Sequence, residues 1–290
     1  MKIALLKQWL PVPAIIFWGI SFIATKYLLD FISPETIISM RLILAVLLLL
    51  PIAFFTGKQF RIKLKSHSYI LILAAIGVFH LWIQVTGMRF TTAANTGWII
   101  GTAPVFIAIL GFIFFKEKIS AINLGGILVA TFGLLLLVGK GDSFNLNFFS
   151  HKGDLLVLAS AFTWGIYSVV NKKITLDYSP LMTVLYLFIM MAAIIIPFNI
   201  SSSAIESILN LDLTGWLSIL FLGLFCSGIS YVIWAFALRE LEAKKVGAYL
   251  YFEPLVTVIA AYLLLNEEIT MLMMLSGLII TAGVILVNNE

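Results

Sequence analysis

Long apolar stretches alternate with short polar turns along the whole chain. Most of the stretches are about 20 residues long, which is the length that an α-helix needs to cross a lipid bilayer. The first stretch follows Lys2 and Lys7, as in a signal peptide, but it is long and lacks a cleavage site of small residues, so we expect it to be retained. The pattern predicts an all-α integral membrane protein with ten transmembrane helices, near residues 9–29, 34–55, 69–88, 95–115, 121–139, 153–173, 180–198, 214–238, 246–265 and 270–288.

The composition agrees with a chain that lies mostly in lipid. Of the 290 residues, 62% are hydrophobic and 11% are charged, and the mean hydropathy is +1.11. A soluble domain has about 25% charged residues. This chain could not cover a water-facing surface without large exposed apolar patches. These values exclude a soluble enzyme, a nucleic-acid-binding protein and a disordered protein.

The second half of the chain repeats residues of the first half in the same order. The offset is 146 residues for the early matches and 150 for the later ones. The longest polar segment, residues 139–154, separates the halves. We therefore expect two five-helix repeats, at residues 1–140 and 153–290. The matching pairs include Trp18 and Trp164, Lys26 and Lys172, Pro34 and Pro180, Arg89 and Arg239, Pro104 and Pro254, and Glu117 and Glu267.

The basic residues predict how the helices are oriented. If the N-terminus is cytoplasmic, thirteen of the 18 Lys and Arg residues fall in cytoplasmic segments and four in external segments. Cytoplasmic loops of membrane proteins carry such an excess. Because five is an odd number, the second repeat is then inverted relative to the first. Inverted repeats around a central cavity, with the substrate near the midplane, are typical of secondary transporters.

Two prolines occupy matching positions inside predicted helices. Pro104 and Pro254 each lack the backbone N–H that would bond to the carbonyl four residues earlier. Freed carbonyls at membrane depth are tolerated where they face a cavity or packed protein. The two predicted helix kinks therefore mark either the transport pathway or a packing feature.

Two charged residues lie well inside predicted helices, away from the helix ends. Glu253 directly precedes Pro254, and an ionisable group at this depth is costly and indicates function. It could bind a substrate amine or exchange a proton. It could instead pair with Arg41, the one arginine inside a predicted helix, in a structural or gating ion pair.

His80 and Gln84 lie four residues apart on one face of the third predicted helix. Polar residues at this spacing indicate a face turned away from lipid. His80 could exchange a proton or form an interhelical hydrogen bond. The matching positions in the second half are Ser230 and Trp234, and with the adjacent Tyr231 they could line the opposite wall.

Aromatic residues inside the predicted helices are further candidates for a cavity wall. Trp18 and Trp164 occupy matching positions away from the membrane interface, and Trp164 shares a helix face with Ser168. A cavity of aromatic rings with a few polar groups suits an amphipathic organic solute and suits a bare ion poorly. Any one of these rings could instead face lipid or the protein core. The remaining candidates are Asn95, Trp98, Trp234 and Tyr251.

Short motifs occur in both halves of the chain. They are Thr92–Gly97, Pro104–Phe106 and Phe115–Ser120 in the first half and Glu242–Gly247, Tyr251–Pro254 and Asn266–Ile269 in the second. These motifs resemble those of the EamA-like family of the drug/metabolite transporter superfamily, and Trp18-Gly19 and Arg41 also fit the family pattern. The resemblance implies ten helices in two inverted repeats around a central cavity, and relatives that mostly export amino acids and other metabolites. Small multidrug members of the superfamily use a glutamate in the first helix for proton coupling, and this chain has none there.

We therefore expect a secondary active transporter that exports amino acids or related small metabolites by alternating access, without enzymatic activity, cofactor or metal. It would lie in the plasma membrane (the bacterial inner membrane) with both termini cytoplasmic. Its expected partners are the small-molecule substrate and the lipid bilayer but no nucleic acid, and a monomer fits as well as an oligomer. The alternatives are an accessory or sensory membrane subunit and a membrane-embedded lipid-modifying enzyme. The enzyme would need clustered acids or a His/Glu metal site, whereas the three histidines are scattered along the chain.

Overall fold

A computed structural model describes residues 9–57, 64–115, 120–138, 151–175, 179–199, 201–241, 246–247 and 249–288. Within these ranges all regular secondary structure is helical. Six of the helices are long and apolar enough to cross a membrane, and three further apolar helices are shorter. The chain is thus an all-α, multi-pass membrane protein, as the sequence predicts. Parts of the motifs quoted above, residues 116–119 and 242–245, lie outside the described residues, as does Glu117.

The helices follow one another with short connections. In the first half they are α1 Pro11–Leu28, α2 Pro34–Phe55, α3 Leu64–Met88, α4 Ala93–Ile100, α5 Ala103–Phe115 and α6 Ala121–Val138. In the second half they are α7 Lys152–Thr175, α8 Pro180–Ile195, α9 Ser202–Leu209, α10 Leu213–Leu220, α11 Ser230–Glu240, α12 Glu253–Leu265 and α13 Met271–Asn288. Short 3₁₀ turns occupy Ile196–Phe198 and Tyr249–Phe252.

Capping residues fix several helix starts. Ser33 directly precedes α2, and its Oγ accepts a hydrogen bond from the backbone N–H of Thr36 at 3.2 Å. Thr92 caps α4 in the same way, with Oγ1 3.0 Å from the nitrogen of Asn95. Such side chains satisfy N–H groups that the first helical turn leaves unpaired. Local sequence therefore sets where these helices enter the bundle.

The two proline-containing stretches are broken rather than kinked. The predicted fourth helix divides at Gly101 and Thr102 into α4 and α5, and the predicted ninth helix contains the 3₁₀ turn Tyr249–Phe252 directly before α12. Pro104 and Pro254 are each the second residue of the following helix. A proline in the first turn removes no intrahelical hydrogen bond. The kinks expected inside continuous helices are therefore replaced by interruptions just before each proline.

Two elements are not predicted by the pattern. Helix α9 is a short helix with exposed Ile205 and Leu209, capped by the Ser201 hydroxyl. A π-helical segment, Phe221–Ile229, joins α10 to α11 inside one apolar stretch. The apolar pattern of such a stretch is the same for an α-helix and for a π-helix, so the sequence alone does not separate them.

Glycines allow close contacts between helices of the two halves. A methyl group on Gly19 in α1 would lie 2.7 Å from Val256 Cβ in α12. One on Gly165 in α7 would lie 3.1 Å from Phe106 Cβ in α5. Small residues at helix interfaces let backbones approach closely in membrane proteins. Other pairs that pack along each other are α3 with α7, α6 with α13, α2 with α8, and α2 with the π segment.

The two helix breaks also pack against each other. A methyl group on Gly101, at the α4–α5 break, would lie 2.7 Å from Pro254 Cγ. One turn earlier in α4, a methyl on Gly97 would lie 2.7 Å from Thr257 Cβ. The interruptions of the two halves thus meet in the interior of the bundle.

Candidate functional site

A small cavity lies between the two halves of the chain. It is lined by residues of α1, α2, α3, α4, α7, α11 and α12, and its free space has room for about three water molecules. The wall combines charged, polar and aromatic side chains. The lining residues are Trp18, Ser21, Phe22, Arg41, His80, Leu81, Gln84, Ile100, Trp164, Tyr231 and Glu253.

Aromatic rings from both halves meet at one side of the cavity. The rings of Trp18 and Trp164, which occupy matching positions of the sequence repeat, are 5.3 Å apart and nearly perpendicular at 85°. Tyr231 lies 5.6 Å from Trp18 and 5.9 Å from Trp164, also edge to face. Edge-to-face pairs at these distances are favourable. The cluster therefore joins α1, α7 and α11 and gives the cavity a rigid apolar wall.

Trp18 is held in place by the π segment. Its indole Nε1 donates a hydrogen bond to the Cys226 carbonyl at 2.9 Å. The Ser21 hydroxyl, one turn later in α1, donates to the Trp18 carbonyl at 2.7 Å. π-Helical turns rearrange the backbone carbonyls and occur often at functional sites. Here the carbonyl of Cys226 becomes a partner for a cavity side chain.

Arg41 contacts the same π segment. Its guanidinium is 4% exposed, and Nε donates to Ser227 Oγ at 3.0 Å. A methyl on Gly228 would lie 2.8 Å from Leu48 Cδ2, so α2 and the π segment are closely packed beside the arginine. A hydroxyl carries no charge, so within the described ranges the positive charge of Arg41 has a hydrogen-bond partner but no counter-ion.

His80 connects the cavity to α7. Its Nδ1 lies 2.9 Å from the Ser160 carbonyl, and its ring lies 5.3 Å from Trp164. A carbonyl can only accept a hydrogen bond, so Nδ1 carries the hydrogen and Nε2 is an acceptor in the neutral ring. His80 therefore forms the interhelical hydrogen bond that was one of the two interpretations of its sequence position.

Glu253 is a buried carboxylate that faces the cavity. It is the first residue of α12 and is 4% exposed. Within the part of the chain that the structure describes, its carboxylate accepts no hydrogen bond and forms no ion pair, with Arg41 or otherwise. The positive end of the α12 dipole favours a carboxylate at this place, but an unpaired buried charge remains costly. A group that is kept unpaired at a cavity wall is available to a ligand.

The charged residues of the cavity break the internal repeat. By the offsets of the sequence match, Arg41 corresponds to Leu187 and Glu253 to Ala103. His80 corresponds to Ser230. The aromatic pair Trp18 and Trp164 is duplicated, whereas the charges are not. The cavity is therefore chemically asymmetric within a repeated scaffold.

Seven of the residues singled out by sequence for the cavity line it, and eight do not. One of the eight is Ser230, which is buried at the start of α11 and donates to the Phe225 carbonyl at 2.8 Å. Trp98 is fully buried and packs on Gly277 of α13, and the Tyr251 hydroxyl donates to the Val284 carbonyl at 2.8 Å, also in α13. Trp234 packs behind the wall, with its ring 5.3 Å from that of Trp18. The other predicted residues outside the lining are Asn95, which is half-buried at the start of α4, Ser168, which is buried in α7, Pro104 and Pro254.

Four lining residues were absent from the sequence-based candidates. Ser21 lies three residues after Trp18 on the same helix face, so helical periodicity points to it. Phe22, Leu81 and Ile100 are ordinary apolar residues that sequence does not distinguish from those facing lipid. Their place in the wall follows from how α1, α3 and α4 pack around the cavity.

A polar cavity enclosed by apolar helices from two similar halves is characteristic of membrane transporters. The chain belongs to the EamA-like transporter family, whose pattern matches residues 9–139 and again residues 151–289. The names of the family and of the similar proteins described below are names of transporters, not of enzymes.

Known proteins similar to the chain cover nearly its whole length. An uncharacterized transporter of Archaeoglobus fulgidus is 31% identical over 93% of this chain and 92% of its own. A probable amino-acid metabolite efflux pump of Escherichia coli is 29% identical over 93% of this chain and 90% of its own. One solved crystal structure has a TM-score of 0.65 at 15% identity, covering 97% of this chain and 95% of the other, and shows the same fold.

Proposed function

We propose that this protein is a secondary active exporter of amino acids or related small metabolites that works by alternating access. The observation that carries the proposal is the Glu253 carboxylate, which has no hydrogen-bond partner among the described residues and lines one cavity together with Arg41. The relatives named as probable amino-acid metabolite efflux pumps support the same substrate class.

The charges of the cavity complement an amino acid. Its carboxylate would accept hydrogen bonds from the guanidinium of Arg41, which suits planar two-oxygen acceptors. Its ammonium group would pair with Glu253 and lie near the electron-rich faces of the aromatic cluster. A zwitterion therefore neutralises both buried charges at once. The rings of Trp18, Trp164 and Tyr231 would contact the apolar part of the substrate.

The architecture that we propose for this transporter is ten transmembrane helices in two inverted repeats, residues 1–140 and 153–290. Val256 follows Phe106 by 150 residues, and Gly165 follows Gly19 by 146, so the two glycine contacts across the bundle are copies of one contact.

The contact between α6 and α13 also repeats itself. A methyl on Gly133 would lie 2.8 Å from the Ile280 nitrogen, and one on Gly283 would meet the matching nitrogen of Ala130. Contacts that recur at the repeat offsets support a two-fold relation between the halves.

The size of the cavity supports a cycle of opening and closing. Free space for about three water molecules does not admit an amino acid. Binding therefore requires the halves to separate on one side, and release requires separation on the other. The breaks before α5 and α12, packed together through Gly101 and Pro254, lie between the moving parts and are the natural hinges.

The orientation follows from the distribution of basic residues. The excess of Lys and Arg in the segments between α2 and α3, between α5 and α6, and between α11 and α12 supports a cytoplasmic location of these segments and of both termini. The end of the bundle that holds the α1–α2, α3–α4 and α12–α13 turns would then face outward. We place the protein in the plasma membrane on this basis.

Counterflow in proteoliposomes tests the proposal. Liposomes loaded with a mixture of unlabelled amino acids should accumulate labelled amino acid when wild-type protein is present. Glu253→Gln removes the charge but keeps the side-chain shape, so it should slow exchange at least about tenfold, because a buried charge pair contributes several kcal/mol. Glu268→Gln is the matched control, since Glu268 is an exposed carboxylate of the α12–α13 turn.

The outcomes separate the roles of Glu253. Slowed exchange at every pH supports direct contact with the substrate ammonium, whereas exchange that loses its pH dependence supports proton exchange at this carboxylate. Unchanged flux and unchanged pH response would remove Glu253 from the mechanism. No movement of any amino acid or metabolite by the wild-type protein would contradict the transporter proposal and favour an accessory or sensory subunit.

A further inference from the structure

The turn between α3 and α4 is clamped from outside its own helices. The ammonium of Lys26, near the end of α1, donates hydrogen bonds to the carbonyls of Met88 at 2.7 Å and Thr91 at 2.8 Å. The Met88 carbonyl is the last of α3, where the helix dipole is negative and favours a cation. Lys26 therefore ties α1 to the end of α3.

A carboxylate from the other half of the chain holds the next helix. Glu267, in the turn between α12 and α13, accepts hydrogen bonds from the backbone nitrogens of Ala93 at 2.8 Å and Ala94 at 2.9 Å. These are the first two residues of α4, where unpaired N–H groups and the positive dipole end favour an anion. Sequence gives no sign of this contact, because 173 residues separate the partners.

A third contact joins the same turn to α7. The Thr91 hydroxyl hydrogen-bonds to the carboxylate of Asp154, which is buried at the start of α7. A methyl on Gly153 would lie 2.8 Å from the Gly87 carbonyl, so α7 begins directly against the end of α3. We call the contacts made by Lys26, Glu267 and Asp154 the turn clamp.

The turn clamp lies just beyond the cavity. Gln84, a lining residue, is one helical turn before Met88, a distance of about 6 Å along α3 at 1.5 Å per residue. Ile100, another lining residue, lies about 10 Å along α4 from Ala93. The clamp thus joins α1, α7 and the α12–α13 turn over one end of the cavity, and it links elements of both halves.

The opposite charges of the clamp act on one turn. Lys26 and Glu267 attract each other across it and each complements a helix end. The contacts of Glu267 and Asp154 cross between the halves, whereas those of Lys26 lie within the first half. Separation of the halves at this end must therefore break the charge-assisted hydrogen bonds of Glu267 and Asp154 and move Glu267 away from the Lys26 ammonium. The clamp is thus a discrete contact, and its loss favours the conformation that is open at this end over the conformation that is closed there.

We propose that the turn clamp is the gate on the outer side of the membrane, where the α3–α4 and α12–α13 turns lie in the orientation proposed above. Release of the clamp opens the cavity to the outside. The inference rests on the alternating-access cycle proposed above. Its test does not depend on the substrate, because it measures access to the cavity and not transport.

Cysteine labelling from outside measures that access. The chain has one cysteine, Cys226, so Cys226→Ser combined with Ser21→Cys places a single reporter in the cavity wall. In a separate variant, a cysteine in place of exposed Ser202, at the same end of the bundle, shows from which side of the membrane an impermeant thiol reagent reaches this end. Glu267→Ala should raise the labelling rate of the reporter by about tenfold, since a charge-assisted hydrogen bond contributes at least that factor to an equilibrium.

The control is the neighbouring carboxylate. Glu268→Ala removes an exposed acid from the same turn and should leave the labelling rate unchanged. Lys26→Met removes the positive charge that attracts Glu267 across the turn and should raise labelling in the same direction. Gel filtration of each variant checks that it is folded.

Two results would overturn the proposal. One is a labelling rate for folded Glu267→Ala and Lys26→Met that equals the rate of Glu268→Ala. The other is an equal rise for reagent added from either side, which would indicate general loosening. A one-sided rise in a protein that moves no amino acid would keep the gate and contradict the proposed substrate.

Discussion

Replacing Gly19 by alanine tests the closest packing between α1 and α12. The new methyl would lie 2.7 Å from Val256 Cβ and Cγ1 and 3.1 Å from the Glu253 carbonyl. Such overpacking costs about 1–3 kcal/mol, and the better helix propensity of alanine returns up to about 1 kcal/mol. We expect a net destabilisation of about 1–2 kcal/mol, because the contacted atoms belong to backbone and to a stiff β-branched side chain.

Thermal unfolding in detergent provides the assay. A loss of this size should lower Tm by about 2–4 °C for each kcal/mol in a chain of this length. Gly125→Ala is the matched control, since no atom lies within 4 Å of a methyl there, and it should leave Tm unchanged or raise it slightly. Gly165→Ala should fall between the two, because its nearest contact is 3.1 Å.

A second substitution tests the cause. Val256→Ala removes the atoms that the new methyl meets, so the double variant should be more stable than the sum of the single effects by at least about 0.5 kcal/mol. If Gly19→Ala melts at the temperature of Gly125→Ala, or if the two substitutions are additive, the close approach of α1 and α12 described above is refuted.

Two further predictions concern hydrogen bonds of α1. Trp18→Phe keeps an aromatic ring but leaves the Cys226 carbonyl without its donor, so it should cost about 1–3 kcal/mol in thermal unfolding. The Nε1 of Trp164 makes no hydrogen bond within the described residues, so Trp164→Phe should lower the stability less. Equal losses of stability in the two variants would contradict the role assigned to the Trp18 hydrogen bond. At the turn before α10, the Gly215 N–H and the Tyr27 hydroxyl donate to Asp212 and lower its pKa. A carboxyl whose pKa is lowered in the folded state stabilises the fold at pH values above its ordinary pKa of about 3.9. This stabilisation is lost as the pH falls through the folded-state pKa. Tyr27→Phe should therefore be less stable than wild type at pH 7, and the difference in stability should shrink below about pH 4. A difference that is the same at both pH values would show that the hydroxyl acts independently of the carboxylate.

Much of the fold could be predicted because membrane insertion imposes a simple rule on sequence. A segment in lipid must satisfy its own backbone and present apolar side chains, so helices appear as long apolar stretches. The breaks in this pattern were less predictable. Pro104 and Pro254 indicated that two helices deviate, but whether a helix bends or stops depends on what packs at the interruption. Here Gly101 packs directly on Pro254, and the break is complete.

The residues of the candidate site could likewise be predicted only in part. Helical spacing placed Trp18, His80 and Gln84 on faces turned away from lipid, and all three line the cavity. Trp98 was a candidate only as an aromatic residue near the start of a predicted helix, and it packs against α13 instead. Periodicity identifies a buried face of one helix but not the neighbour that covers it.

The sequence by itself indicated that this protein lies in lipid, that it is built of long apolar helices, and that residues of its first half recur in its second. These properties depend on composition, on the length of apolar stretches and on matches along the chain, none of which requires knowledge of contacts. Only the tertiary structure decided which residues act together: Arg41 with Ser227, and Glu267 with the first residues of α4, whereas Glu253 has no partner within the part of the chain that the structure describes. The physical reason is that hydrogen bonds and ion pairs act over a few ångströms, and partners at this range come from helices far apart in sequence.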